Sequence, residues 1–173
     1  MDCPYDVSNA IVSNDNTKII FRDGVSRSIL FDFDNKDGRL SEVYAFDLYA
    51  QCEFSVSGKY IYNIEKESEN VCNVVRYDIQ TATDEQSLLE SRFIIDKIPI
   101  MSVTQPKLAP DKNIYINAGL SLYAIYDCDT ENAYLKPDVI KFDKIVTHLP
   151  YTFHYTFDDN LCNVKSPKII EKN

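Results

Sequence analysis

The sequence predicts an all-β chain of β-propeller-type blades, each a four-stranded antiparallel sheet, with about three blades in an incomplete ring. Three observations carry this. Helical periodicity is nearly absent from the 173 residues. A unit of strand, tight polar turn and strand recurs three times. The strands of that unit are apolar at successive positions, so both of their faces need cover. Blades are expected at 10–50, 51–103 and 104–150, inside a propeller-like region 1–155, with a C-terminal tail at 156–173.

The recurring unit reads first as Val12-Ser13-Asn14-Asp15-Asn16-Thr17-Lys18-Ile19-Ile20-Phe21. Its second copy is Phe54-Ser55-Val56-Ser57-Gly58-Lys59-Tyr60-Ile61-Tyr62, and its third is Leu108-Ala109-Pro110-Asp111-Lys112-Asn113-Ile114-Tyr115-Ile116. Asn14-Asp15-Asn16, Ser57-Gly58 and Pro110-Asp111 supply the turns. Starts 42 and 54 residues apart match blades of roughly 40–50 residues. The runs Ile19-Ile20-Phe21, Tyr60-Ile61-Tyr62 and Ile114-Tyr115-Ile116 have no polar side to turn toward water, as strands packed between neighbours require.

A third strand follows each copy, ending in an aromatic before an aspartate: Phe31-Asp32, Tyr77-Asp78 and Tyr126-Asp127. Polar turns come next, and fourth strands are expected at Leu40 to Phe46, Leu88 to Ile95 and Val139 to Val146. The one helical stretch, Thr83 to Glu90, has Thr83 as N-cap with Gln86 three residues on. It competes with strand over the same residues. Three blades fall short of the roughly 4–8 that close a ring. A fragment, an oligomer that completes the ring, or an open stack with exposed edges would each account for this, the last being prone to self-association.

Composition narrows the function. A net charge of −9 repels phosphate backbones and anionic lipid, which disfavours nucleic-acid and membrane partners. No apolar run approaches the roughly 20 residues of a membrane-spanning helix. Met1-Asp2-Cys3-Pro4-Tyr5-Asp6 lacks the basic start of a signal peptide. The chain is therefore expected to be cytoplasmic or an interior piece of a secreted one. The five cysteines, Cys3, Cys52, Cys72, Cys128 and Cys162, form no CxxC pair, so buried thiols are expected rather than a zinc site.

Four ordered blocks carry a family resemblance: Ile29 to Ser41, Cys52 to Tyr62, Pro106 to Ile116, and His148-Leu149-Pro150-Tyr151-Thr152-Phe153. Over roughly Val12 to Phe153 the chain resembles the propeller region of large secreted bacterial surface proteins of the gliding-motility-associated type, with WD40/YVTN-like repeats. The resemblance implies an extracellular or cell-surface, non-enzymatic protein with adhesion or scaffold roles, and blades beyond this chain. Two positions depart from the pattern. Cys52 stands where a Gly precedes Glu-Phe-Ser, and Lys112 or Asn113 replaces the glycine of the third turn. These departures mark a diverged member and leave its protein or glycan ligand open.

Candidate chemistry is sparse. Asp32, Asp34 and Asp37 with Gly38 offer oxygens for calcium. Counted from Asp32, however, Gly38 falls seventh and Val43 twelfth, away from the EF-hand positions. A hairpin with a left-handed Gly is the competing reading. His148 and His154, with Cys128 or Cys162, could hold a soft metal, although Pro150 interrupts their segment and no tight ligand spacing is present. No GxSxG, GxGxxG or Walker pattern occurs. Glu53 and Asp78 could line a propeller channel as an acid–base pair, or simply bind backbone amides. The positions equivalent to Glu53 are Ile11 and Lys107, which gives no repeated acidic ring. The leading reading is a non-catalytic propeller module making protein or glycan contacts, with no cofactor. The alternatives are a lactonase-like propeller hydrolase with its site in the central channel, and a cytoplasmic adaptor.

Overall fold

A computed structural model describes residues 7–23, 28–46, 51–99 and 105–146. They form three four-stranded antiparallel sheets, each a simple meander. Sheet 1 holds β1 (Val7–Val12), β2 (Lys18–Asp23), β3 (Ser28–Asp34) and β4 (Arg39–Phe46). Sheet 2 holds β5 (Gln51–Phe54), β6 (Tyr60–Lys66), β7 (Val71–Asp78) and β8 (Phe93–Pro99), with helix α1 (Glu85–Glu90) before β8. Sheet 3 holds β9 (Lys107–Leu108), β10 (Ile114–Asn117), β11 (Gly119–Tyr126) and β12 (Tyr134–Val146). These sheets are propeller-type blades, and together they make a partial propeller.

The turn between the first two strands is built alike in each sheet. The fourth residue after the strand end takes a left-handed conformation: Asn16 at φ 56, Gly58 at φ 70 and Lys112 at φ 68. Its N–H donates back to Ser13 O, Ser55 O and Ala109 O at 2.9, 3.0 and 2.9 Å. Lys112, rather than Asn113, therefore stands at the glycine position of the third turn. In the first two turns the serine hydroxyl also accepts an N–H, from Lys18 to Ser13 Oγ at 2.9 Å and from Tyr60 to Ser55 Oγ at 3.1 Å. Ala109 removes that acceptor, and the third turn is one residue shorter: Ala109 N–H bonds Asn113 O, where Ser55 N–H bonds Tyr60 O.

The shorter turn shifts an expected equivalence. Asp32 pairs Lys18 and Asp78 pairs Tyr60, at the top of their strands. In sheet 3 the strand ends at Tyr126, and Asp127 has already left it with φ 53. Other expectations also need correction. Leu88 to Ile95 is not one strand: α1 runs to Glu90 and β8 starts at Phe93. The helix cap is Asp84, not Thr83. Its carboxylate accepts Ser87 N–H at 2.7 Å, while Ser87 Oγ accepts Asp84 N–H at 3.0 Å. Ser87 closes the capping box in place of Gln86. The last strand begins at Tyr134, five residues before Val139. The tail 156–173 lies outside the described residues.

Alternation along β6 shows how the core is built. Ile61 turns to sheet 1, where it joins Ile11, Ile20 and Leu30 together with Phe54, Val75, Tyr77 and Leu88. Tyr60, Tyr62 and Ile64 turn the other way, onto Leu108, Ile114, Ile116, Ile125 and Leu135 of sheet 3. Phe54, Ile61, Tyr62, Val74 and Val75 are each 0% exposed, so sheet 2 is greasy on both faces because both are covered. Expected two-sided burial fails at the ends of the array: β3 runs buried at Ser28–Leu30 and then alternates, and the described side chains of β4 are half-buried or exposed. Burying one such side chain stabilises by roughly 1.5–3 kcal/mol.

Ile61→Ala should lower the unfolding free energy by about 2–4 kcal/mol in urea titration. The same truncation at exposed Leu120 should change it by less than about 0.5 kcal/mol.

Candidate functional site

Among the described residues Glu53 is the one acidic side chain buried in the core. It sits on β5, faces sheet 3, and is 5% exposed. Its Oε1 accepts Phe54 N–H at 3.0 Å and its Oε2 accepts Leu108 N–H at 3.3 Å. Burial raises its pKa, and the Lys107 charge with the two amides only partly offsets that. Asp78 ends β7, where its Oδ1 accepts Gln80 N–H at 2.9 Å and Thr81 N–H at 3.1 Å. Both carboxylates thus bind backbone amides. The register puts Asp78 two strands and two residues from Glu53, about 12 Å between Cα atoms by strand spacing. Glu53 pairs Tyr62, Ile11 pairs Ile20 and Lys107 pairs Tyr115, so the three do hold equivalent positions with one acid among them.

Around Glu53 the polar groups of sheets 2 and 3 hold one another. Tyr62 donates to Cys128 O at 2.7 Å, and Arg76 Nη1 to Thr130 O at 2.8 Å. Ser57 donates from N and Oγ to Asp129 Oδ1 at 2.9 and 2.8 Å. The Arg76 guanidinium lies 4.6 Å from the Tyr60 ring centre and 5.1 Å from that of Phe93. The loop 127–131 is therefore latched onto sheet 2. Cys128 donates to Lys112 O at 3.1 Å, and burial pushes its thiol up to about 11. Cys52, Cys72 and Cys128 are all buried.

The acidic loop does not gather its carboxylates. Asp32 faces Lys18 Nζ at 2.7 Å. Asp34 Oδ1 accepts Lys36 N–H at 2.9 Å, and Gly38, at φ 68, donates to Asp34 O at 2.8 Å. That is the hairpin geometry. Asp37 lies in the turn, with its amide 3.4 Å from Asp34 Oδ1. Among the described residues no three Asp, Glu, His or Cys side chains converge as a metal ion requires. His148, His154 and Cys162 lie outside the described residues, as does Cys3.

Exposed apolar groups mark the surface instead. Leu89, Phe93 and Ile94 are 37%, 50% and 40% exposed, with Phe93 opposite Arg76 on one face of sheet 2 and Ile94 opposite Val75 on the other. Arg92 beside them reaches Glu65 Oε2 at 2.7 Å. Sequence reasoning missed these exposed positions because it ran one strand over Leu88 to Ile95. A second exposed set lies on sheet 3, where Tyr126 and Tyr134 stack at 5.5 Å with Lys136 Nζ 5.8 Å from the Tyr126 ring. No helix among the described residues is long and apolar enough to cross a membrane.

No protein-family profile matches the chain, and neither does any curated protein. Solved structures do resemble it. One is a crystal structure described as a putative 6-phosphogluconolactonase from Bacteroides fragilis, with TM-score 0.52 and 14% identity over 79% of this chain and 39% of that one. Another is a protein from Lactobacillus plantarum, with TM-score 0.50 and 13% identity over 84% of this chain and 45% of that one. The chain thus spans less than half the length of either, and at this identity the likeness shows the fold alone.

Because burial raises the Glu53 pKa, the folded state holds that proton more tightly than the unfolded chain. Its contribution therefore falls as pH rises above the ordinary Glu value of 4.5. Thermal melts should show Glu53→Gln gaining on the wild type as pH climbs from 4.5 toward neutrality. A constant offset between the two proteins would contradict this account of Glu53.

Proposed function

We propose that the chain is a non-catalytic propeller module of a secreted or cell-surface bacterial protein, acting through contacts with protein or glycan. Exposed Phe93, with the Arg76 guanidinium 5.1 Å from its ring centre, carries this reading. An aromatic with a cation beside it is the residue type that anchors protein interfaces and stacks on sugars. The resemblance to bacterial surface propellers supports the extracellular placement.

A lactonase-like hydrolase is the second reading, favoured by the likeness to the Bacteroides fragilis structure. Glu53 would be its acid or base. Against it stand two backbone amides that already occupy the carboxylate, and equivalent positions filled by Ile11 and Lys107.

Two measurements separate the readings. Fluorescently labelled chain should bind intact bacterial cells saturably, and Phe93→Lys with Ile94→Lys should weaken that binding about tenfold, the effect of losing one interface anchor. Equal binding by the double variant overturns the contact reading. The chain should not hydrolyse 6-phosphogluconolactone above the spontaneous rate. Turnover that Glu53→Gln abolishes establishes the hydrolase instead.

A further inference from the structure

Buried polar groups nearly always find partners, so those that do not are informative. Among the described residues four buried side-chain atoms lack a hydrogen-bond partner: Ser28 Oγ, Tyr60 Oη, Asn63 Oδ1 and Asn73 Oδ1. Tyr60 belongs to the core between sheets 2 and 3. The other three face the junction of sheets 1 and 2. Ser28 lies two residues from Leu30, Asn63 two from Ile61 and Asn73 two from Val75, so each shares a face with a member of that junction's core. Ser28 is 1% exposed, Asn63 0% and Asn73 7%.

Register puts the three at one level. Ile19 and Ile61 hold the same position, opposite Val12 and Phe54. The turns before them are level too, since a side chain at Gly58 would meet Ser13 Cβ at 3.6 Å. Counted on from there, Arg22 of sheet 1 matches Ile64 of sheet 2, and Arg22 pairs Ser28. Asn63 precedes Ile64, and Glu65, which follows it, pairs Asn73. Ser28 therefore falls between the two asparagines, one residue step of about 3.3 Å from each along the strands. Closer to the turns, Ile20 and Leu30 fill the space between the sheets. A serine and an asparagine facing each other across sheets about 10 Å apart leave room for one small molecule. The fold itself does not demand polar groups here. In the junction of sheets 2 and 3 the positions of Ser28 and Asn63 are held by Val74 and Ile116, both 0% exposed.

Chemistry selects the occupant. Asn63 Nδ2 lies 3.5 Å from Glu65 Oε1, which turns the Asn63 carbonyl oxygen away from that carboxylate. Glu65 is itself engaged, by the Tyr77 hydroxyl and by Arg92 at 2.7 and 3.1 Å. What remains is two carbonyl oxygens that only accept and one hydroxyl that can donate. A cation would give up its hydration for three neutral oxygens, at a large cost. A water matches them: its two hydrogens go to Asn63 and Asn73, and its oxygen accepts from Ser28.

We propose that one internal water binds between sheets 1 and 2, held by Ser28 Oγ, Asn63 Oδ1 and Asn73 Oδ1. Three contacts are the usual number for a buried water. The water bridges the two sheets at the level where apolar side chains stop filling the space between them. It satisfies groups on both sheets at once, and so fixes how far one slides along the other. The site is internal and independent of Phe93.

Oxygen-17 magnetic relaxation dispersion on the purified chain tests this, because it counts waters held for longer than nanoseconds. The double variant Ser28→Val with Asn63→Ile copies the other junction. It should hold one long-lived water fewer than the wild type, and an equal count overturns the proposal. If that variant fails to fold by circular dichroism, the wild type decides. The Asn63 side-chain amide protons should then show nuclear Overhauser cross-peaks to water with the sign of a long-lived contact, and their absence overturns the proposal. An alkali cation is the competing occupant. Exchanging sodium and potassium for tetramethylammonium at equal ionic strength should leave the melting temperature unchanged, since a water needs no such ion. A lower melting temperature assigns the site to a cation and overturns the water.

Discussion

Sheet 2 has no wet side, and the rest of the architecture answers that constraint. Its second strand sends Ile61 one way and Tyr60, Tyr62 and Ile64 the other, and each direction ends in a separate apolar cluster. A sheet with this composition is insoluble alone, since one face or the other would lie in water. Packing it between two similar sheets removes the penalty but passes the problem outward. Among the described residues, sheets 1 and 3 each meet one neighbouring sheet. The partial alternation of β3 and the exposed positions of β12 register that difference.

Much of the fold was readable before any coordinates, because turns and successive apolar residues are local signals. Asn14-Asp15-Asn16, Ser57-Gly58 and Pro110-Asp111 all mark real turns. What escaped was non-local or depended on one residue. The loss of a single residue from the third turn moved Asp127 out of its strand, which residue spacing alone could not reveal. Lys112 adopts a conformation that Gly adopts freely, imposed by the same hydrogen bond to Ala109 that Gly58 makes to Ser55. Helix α1 competed with strand over Leu88 to Ile95. The capping box at Asp84 and Ser87 and the burial of Leu88 decided in favour of helix. Glu53 stood out as an acid in an apolar strand, yet the amide that occupies it comes from Leu108, 55 residues away.

The junction of sheets 2 and 3 explains why chemistry is hard to place in this molecule. Polar side chains of sheet 2 are here used to join blades. Tyr62, Arg76 and Ser57 all point into the loop 127–131. Arg76 is further held between Tyr60 and Phe93. Groups so engaged are held in place by partners across the junction.

Repetition of one packing unit along the chain gives the array a graded resistance to opening. Each blade is made of consecutive strands, so it can come apart as a unit, and neighbours couple only through shared faces. The middle blade must break two such faces to detach, whereas a terminal blade breaks one. Amide protons of β6 and β7 consequently exchange with solvent only when much of the array is lost, while those of β2 and β11 escape through cheaper, local excursions. Among the three described sheets, the middle one is the last to open.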